Sequence, residues 1–245
     1  KGEHQVTDWM YVFAEASFSR SEAEVHGAAN TIDIENSVGI DPEVGMIIPS
    51  YNPFNPFGID INTGRRRYLE SGNRINNVTS DTPRFLMGLG GDVMSDNLLF
   101  EDWTWEAAML YSKNTVTQVS ITAADSLLQM ALNGLTRLGD GSLEWNPDTP
   151  QDERVYFNWF AMNEQAFADF TRLINPVSAE FELYNYDISA NGTVGELEGG
   201  LIGVAVGAEH RKEDWASNRT IANRTGNVLG GSEGTSASGS RDVSA

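Results

Sequence analysis

The chain has 245 residues, 40% of them hydrophobic, and a formal net charge of −19 at neutral pH. This charge excludes a general electrostatic attraction to nucleic acid or to anionic lipid surfaces, because both partners are themselves negatively charged. The lack of cysteine excludes disulfide scaffolds, thiolate zinc sites and cysteine nucleophiles.

The chain shows no segment that predicts a membrane helix or a secretory signal. Its longest uncharged apolar stretch, 201–208, is much shorter than the roughly 18 residues that a spanning helix needs. The first residue is Lys1, and no basic segment with an apolar run and a cleavage site follows it. We therefore expect a fragment of a longer protein.

The first predicted strand covers about Asp8 to Arg20, where apolar and polar residues alternate. A long loop follows from Ser21 to Ser80 and is rich in Asn, Gly and Pro. Its segment 49–58 reads PSYNPFNPFG, and in each of its two Asn-Pro pairs the proline biases the asparagine away from helical conformation. We predict that this loop is irregular.

Two groups of side chains in this loop are candidates for contact with a ligand. Arginine is concentrated in one run, and guanidinium groups suit carboxylates or phosphates on a ligand or on lipopolysaccharide. The alternative is three solvated charges that offset nearby Asp and Glu. Aromatic rings in the same loop could stack on a sugar or an aromatic siderophore, or could pack the loop on itself. The candidate residues are Arg65, Arg66, Arg67, Tyr51, Phe54 and Phe57.

Two further strands are predicted in the middle of the chain, from Arg84 to Asp92 and from Trp103 to Tyr111. A turn at Ser95-Asp96-Asn97 would join them. The second strand runs on into a polar segment, and a second long loop extends from Ser120 to Val177. Helical spacing of apolar residues predicts two short helices within that loop, Ala123 to Leu132 and Met162 to Ile174.

The clearest alternation runs from Tyr184 to Val194, with apolar residues at even positions and polar residues at most odd positions. A turn over 195–200 leads to a second alternating segment, Leu201 to Glu213, so the two predict a hairpin. The last loop, Asp214 to Gly239, is mostly polar, and Ser240 to Ala245 begins a new element. We expect one face of these strands to be polar, including Glu106, Asp187, Glu209 and Arg211.

The lengths of the connections indicate the class of fold. Loops of about sixty, sixty and twenty-five residues alternate with turns of under ten. Soluble domains rarely contain structureless loops above about 15 residues, whereas outer-membrane β-barrels have short periplasmic turns and long external loops. Each predicted strand also supplies the roughly 9 to 11 residues that a tilted membrane strand needs. A soluble β-sandwich is the alternative.

Aromatic residues near the strand ends agree with the membrane interpretation. Trp103 and Trp105 lie near one end of their strand and Tyr111 toward the other, while Tyr184 and Tyr186 open the next strand. Interfacial girdles of membrane barrels have this composition. In a soluble sandwich the same rings would be core anchors.

Motifs that suggest catalysis or metal binding are weak. Gly230-Gly231-Ser232-Glu233-Gly234 fits G-x-S-x-G, but it lies in a flexible loop without the strand and helix that a nucleophile elbow needs. The glycines of 88–91 lie on a strand, and we expect them to thin its inward face. The three histidines are too far apart to predict a metal site. We predict no enzymatic activity, no cofactor and no metal.

Four segments together resemble the TonB-dependent outer-membrane receptors of Gram-negative bacteria. With the closing segment from Thr225 they cover roughly 90 of the 245 residues, spread along the chain in the order of that family. They are YNPFNPFGID (Tyr51 to Asp60), RINNVTSDTPRFLMGLGGDV (Arg74 to Val93), DWTWEAAMLYSKNTVTQ (Asp102 to Gln118) and GELEGGLIGVAVGAEHRKED (Gly195 to Asp214).

The resemblance implies a barrel of about twenty-two strands, filled by a plug domain, that imports a scarce nutrient with energy from an inner-membrane complex. Residues 1–245 would be a middle slice of five or six barrel strands without the plug. Expected partners are the nutrient at the external loops, the protein's own plug, the energy-coupling complex and outer-membrane lipid or lipopolysaccharide. A plugless porin, a surface adhesin and a soluble all-β carbohydrate-binding or hydrolytic domain remain alternatives.

Overall fold

The computed structural model describes residues 1–93, 102–231 and 233–245, and most of its regular structure is antiparallel β-sheet, which confirms the predicted all-β class. The strands are β1 (Gly2–Thr7), β2 (Met10–Gly27), β3 (Thr31–Asp33), β4 (Arg65–Arg67), β5 (Arg74–Asp92), β6 (Thr104–Ala123), β7 (Thr136–Arg137), β8 (Leu143–Glu144), β9 (Arg172–Leu197), β10 (Gly200–Asn218) and β11 (Ala237–Ser244). The helices are α1 (Asp125–Asn133), α2 (Gln165–Thr171) and α3 (Ile221–Arg224), with 3-10 turns at Ile34–Asn36, Leu69–Ser71 and Gln151–Glu153.

Seven strands form one sheet in the order β1-β2-β5-β6-β9-β10-β11, and each pairs antiparallel with its neighbours. Because neighbours in the sheet also follow one another along the chain, successive connections leave opposite ends of the sheet. The connections 28–73, 124–171 and 219–236 all leave one end. The β1–β2 and β9–β10 turns lie at the other end, whereas the predicted turn at Ser95-Asp96-Asn97 falls outside the described residues.

The strands are longer than the alternation of hydrophobicity predicts, so the predicted loops were too long. β2 and β5 remain paired from Met10 and Gly91 as far as Gly27 and Arg74. In this outer half both faces of the sheet are polar, as at the Arg20–Asp81 ion pair of 2.7 Å. Period 2 in hydrophobicity disappears where neither face is apolar, although the backbone pairing continues. For the same reason β1 was not predicted.

The buried hydrophobic core lies in the three long connections rather than under the sheet. We call residues 28–73, 124–171 and 219–236 together the cap. Helices α1 and α2 confirm the two predicted helices, although α2 ends at Thr171 because the chain enters β9 there. Aromatic rings meet edge to face in this core, Tyr68 with Phe157 at 5.7 Å. Other members are Ile32, Ile34, Met46, Ile48, Leu128, Leu132, Leu135, Phe167 and Leu229.

In its half near the short turns, the sheet has one apolar face and one polar face, and both are accessible. On the face that we call the apolar face, Phe85, Met87, Ile188 and Val206 are between 51% and 59% exposed. The register places further apolar residues beside them, namely Val12, Ala14, Ala16, Phe18, Pro83, Leu89, Trp105, Ala107, Met109, Tyr111, Tyr184, Tyr186, Ala190, Val204 and Ala208. The opposite, polar face carries Glu106, Asp187, Glu209 and Arg211 together, as the alternation predicts.

Two further observations concern the edges of the sheet and the helices. Within the described residues, β1 and β11 each have a single strand neighbour, so their outer edges are unpaired. No helix in the described parts of the chain combines the length and the apolar character needed to cross a membrane.

Candidate functional site

Two successive Asn-Pro-Phe triplets give the 51–58 segment a fixed shape. Asn52 is buried, donates its side-chain amide to the Leu132 and Phe157 carbonyls, and accepts a hydrogen bond from the Phe54 amide at 3.0 Å. Asn55 is also buried and accepts from the Phe57 amide at 3.0 Å. Asparagine favours such Asx turns because its side chain mimics a backbone carbonyl. Each asparagine therefore anchors the turn from inside.

The same turns place the aromatic rings on the outside. Tyr51, Phe54 and Phe57 are 46%, 43% and 66% exposed. The three rings lie three residues apart in sequence, and the buried asparagines lie between them. The rings therefore do not form a core for their own loop, which was the alternative interpretation of these residues.

A third turn of the same kind occurs in the second long connection. Asn158 accepts a hydrogen bond from the Phe160 amide at 2.9 Å, and Phe160 is 55% exposed. Phe54, Asn158 and the exposed Met162 line one open cleft of about 430 Å³. Sequence reasoning missed Phe160, although the Asn-x-Phe spacing of 158–160 repeats that of 52–54 and 55–57. We use the name ring surface for the five exposed side chains Tyr51, Phe54, Phe57, Phe160 and Met162, of which Phe54 and Met162 share this cleft.

The three arginines of β4 have different roles, because alternate residues of a strand point to opposite sides. Arg65 forms an ion pair with Asp33 at 2.7 Å and is largely exposed. Arg67 is exposed and donates to the Ala29 carbonyl at 2.8 Å. These two arginines therefore remain accessible to a ligand.

Arg66 points into the cap, and its side chain is only 13% exposed. It donates to the carbonyls of the 158–161 segment, lies 5.1 Å from the centre of the Phe157 ring, and pairs with Glu70 at 2.6 Å. Burial opposes ionisation of Glu70, but hydrogen bonds from Asn163 and the Arg66 charge outweigh it, so the pKa of Glu70 lies below its usual value. Arg66 thus holds the segment that carries Phe160.

The glycines of β5 serve a different purpose from the predicted one. A side chain at Gly88 would meet the ring of Phe13 at 2.4 Å, and one at Gly90 would meet the Tyr11 hydroxyl at 2.6 Å. The Tyr11 hydroxyl donates to Glu106 at 3.1 Å. The expectation that these glycines thin the polar face is therefore wrong, because the rings of β2 fill the space above them.

The residues considered for metal binding or catalysis do not converge within the described parts of the chain, and no group of three or more His, Asp or Glu side chains there is arranged to hold a metal. His4, His26 and His210 lie on β1, β2 and β10. Ser232 of the G-x-S-x-G segment falls outside the described residues.

No protein-family model matches the chain, and neither the curated proteins nor the solved structures contain a match to it.

Proposed function

We propose that the chain is a section of the β-barrel of an outer-membrane receptor of the TonB-dependent type. In this proposal the cap binds a scarce nutrient of the siderophore, vitamin or oligosaccharide class outside the cell. The barrel then imports it actively and performs no chemistry on it. The observation that carries the proposal is the shape of the apolar band on the sheet.

The apolar band runs obliquely across the strands. On β10 it ends at Ala208, which lies in register with Val12 of β2 through the intervening strands. On β2 the band continues six residues further, to Phe18. The border of the band near the short turns shifts in the same direction. Met10, at the start of β2, is in register with Val206 of β10. On β10 the apolar residues continue past that level to Ile202.

This displacement corresponds to a definite strand tilt. Six residues at about 3.3 Å each give about 20 Å along the strands, and four strand steps at about 4.8 Å give about 19 Å across them. If the band lies parallel to a membrane, the strands must tilt by about 45° from the membrane normal. Strands of outer-membrane barrels tilt by roughly 35 to 45°. A flat hydrocarbon layer crossing the sheet accounts for the slope.

The loop-side border of the band has the composition of a membrane interface. Phe85, Tyr111 and Tyr184 lie side by side across three strands, with ring centres 6.4 Å and 4.9 Å apart. Aromatic girdles occupy this level in membrane barrels. On the same face, closer to the cap, Lys113 pairs with Glu182 at 2.9 Å. Charges therefore begin just past the rings, where polar headgroups would lie.

The other parts of the molecule fit the same orientation. The polar face, with Glu106, Asp187 and Glu209, would contact water or a plug domain inside the barrel. The unpaired edges of β1 and β11 would continue into further strands, because an unpaired backbone edge is costly in lipid. The cap would lie outside the cell, and its ring surface, with Arg65 and Arg67, would contact the nutrient.

Labelling of single cysteines tests this topology, and the chain's lack of native cysteine keeps its own background low. In the full-length protein on intact cells, Thr235→Cys in the cap should react with an impermeant maleimide. Gly199→Cys, in the β9–β10 turn, should react only after the outer membrane is permeabilised. Equal labelling of both positions on intact cells would contradict the proposal.

Transport measurements separate the importer from its alternatives. Nutrient uptake that stops when the inner-membrane energy-coupling complex is deleted is expected for the importer. Uptake that continues would instead indicate a porin. A full-length protein that stays monodisperse without detergent would indicate a soluble carbohydrate-binding domain.

A further inference from the structure

A cleft of mixed polar and apolar lining lies where the cap joins the sheet. It has a volume of about 210 Å³ and lies between the ends of β5, β6 and β9 and helix α2. Arg74, the first residue of β5, and Arg172, the first residue of β9, both line it. Two arginines that line one cleft are notable in a chain with a net charge of −19.

These two arginines form no ion pair in the described parts of the chain. Arg74 donates to the Ala28 carbonyl at 3.0 Å through Nε, and its other guanidinium N–H groups have no hydrogen-bond partner within the described residues. Arg172 is exposed, and within the described residues its side chain makes neither an ion pair nor a hydrogen bond. Asp169 also lines the cleft, but it accepts a hydrogen bond from Gln165 and does not pair with either arginine. Two positive charges therefore face one negative charge.

The remaining walls of the cleft are mixed in character. Neutral donors are provided by Asn73 and Gln165, whose amides can bind oxygen atoms. Ile75 and Ile121 pair across β5 and β6 and provide an apolar floor. The cleft therefore offers charge, neutral donors and an apolar contact within a space of about seven water volumes.

We propose that this cleft binds a phosphate group carried on a small organic residue, such as a sugar. A dianion can satisfy both guanidinium groups and still offer oxygen atoms to the amides, whereas a single carboxylate would satisfy one guanidinium. The carbon skeleton would lie on the isoleucine floor. The source is either a soluble sugar phosphate or a phosphorylated lipid headgroup, because both present the same chemistry. The proposal does not depend on the membrane orientation of the sheet.

Calorimetric titration of the full-length protein in dodecyl maltoside tests the cleft, with glucose 6-phosphate as one probe and dioleoyl phosphatidic acid in mixed micelles as the other. Arg172→Gln should weaken saturable binding about tenfold or more, because it removes a charge-assisted contact. Arg172→Lys should retain most of the affinity. Asp169→Asn should tighten binding several-fold, because it removes the negative charge from the cleft.

Arg224→Gln is the matched control, since Arg224 is exposed in α3, away from the cleft residues, and it should leave binding unchanged. Tighter binding of phosphatidic acid with this pattern of variants assigns the cleft to lipid headgroups, and tighter binding of glucose 6-phosphate assigns it to soluble sugar phosphates. Lack of saturable binding of both probes, or equal losses in Arg172→Gln and Arg224→Gln, would overturn the proposal. The cysteine-labelling result is independent of either outcome.

Discussion

At the scale of residues, the buried side chain of Asn52 holds the turn that exposes the neighbouring aromatic rings. Asn52 is fully enclosed, and its amide satisfies two carbonyls from a different connection of the cap. Loss of that side chain would leave the carbonyls of Leu132 and Phe157 without this donor in a buried place. A buried polar group without a partner costs about 1 to 3 kcal/mol.

Asn52→Ala should therefore destabilise the cap by about 1 to 3 kcal/mol in the full-length protein. Faster hydrogen exchange of the α1 amides reports this loss, because the end of α1 supplies one of the two carbonyls. Asn62→Ala, at an exposed position, serves as the control and should leave exchange unchanged. Equal exchange in both variants would show that Asn52 does not anchor the segment.

A buried acid at the start of α1 makes the cap sensitive to pH. Asp125 is 2% exposed and accepts from the Val38 amide at 3.2 Å, and burial raises its pKa to about 6. The raised pKa means that the folded state binds the proton more tightly than the unfolded state does. This contribution to stability is complete below the unfolded pKa of about 4 and is lost as the pH rises through about 6.

The cap should thus be more stable near pH 4.5 than near pH 7.5 by about 2 kcal/mol from this group. Asp125→Asn should remove this part of the pH dependence of α1 hydrogen exchange, after correction for intrinsic exchange rates. The exposed Asp148→Asn should keep it. A pH dependence that persists unchanged in Asp125→Asn would rule out this residue as its source.

At the scale of elements, sequence reasoning located those parts in which one face is apolar. The strand Tyr184 to Val194 is predictable because its even positions are apolar, but β9 extends from Arg172 to Leu197. Beyond the apolar band, pairing depends on backbone hydrogen bonds and on cross-strand contacts such as Lys113 with Glu180. Such contacts join residues far apart in the chain, so local periodicity does not reveal them.

Only those parts of the candidate site that depend on neighbouring residues in the sequence were predictable. The rings of 51–57 were visible as aromatic residues in a polar loop, and their exposure follows from the buried asparagines beside them. The role of Arg66 was not visible, because its partners lie about ninety residues away in the second connection. Phe160 lies in the second connection, which Arg66 of the first connection contacts through the carbonyls of 158–161.

The glycines of β5 give a prediction at the scale of the sheet. Gly88→Ala should destabilise the full-length protein by about 1 to 3 kcal/mol, since its methyl group would meet both the Phe13 ring and the Ala107 carbonyl oxygen at 2.6 Å. Gly203→Ala on β10 is the matched control, because it has no atom within 4 Å of the new methyl group. The temperature at which the band shifts in a heat-modifiability gel measures the effect. Equal shifts in both variants would contradict this packing.

At the scale of the whole molecule, the hydrophobic groups are divided between two environments. The cap buries its apolar side chains in a core of its own, whereas the sheet exposes an apolar face several strands wide. Exposed apolar surface of this extent marks contact with a partner or with a membrane. The slope of the band and its aromatic border favour the membrane.

The most direct test compares two adjacent residues of β9 that lie on opposite faces, Ile188 on the apolar face and Asp187 on the polar face. Each is replaced singly by cysteine in the full-length protein, labelled with bimane and reconstituted into liposomes whose lipids carry bromine at mid-chain. Because brominated lipid quenches only dyes that contact it, we expect strong quenching at position 188 and little at position 187. Equal quenching at both positions, or none at position 188, would contradict the assignment of the apolar face to the lipid bilayer.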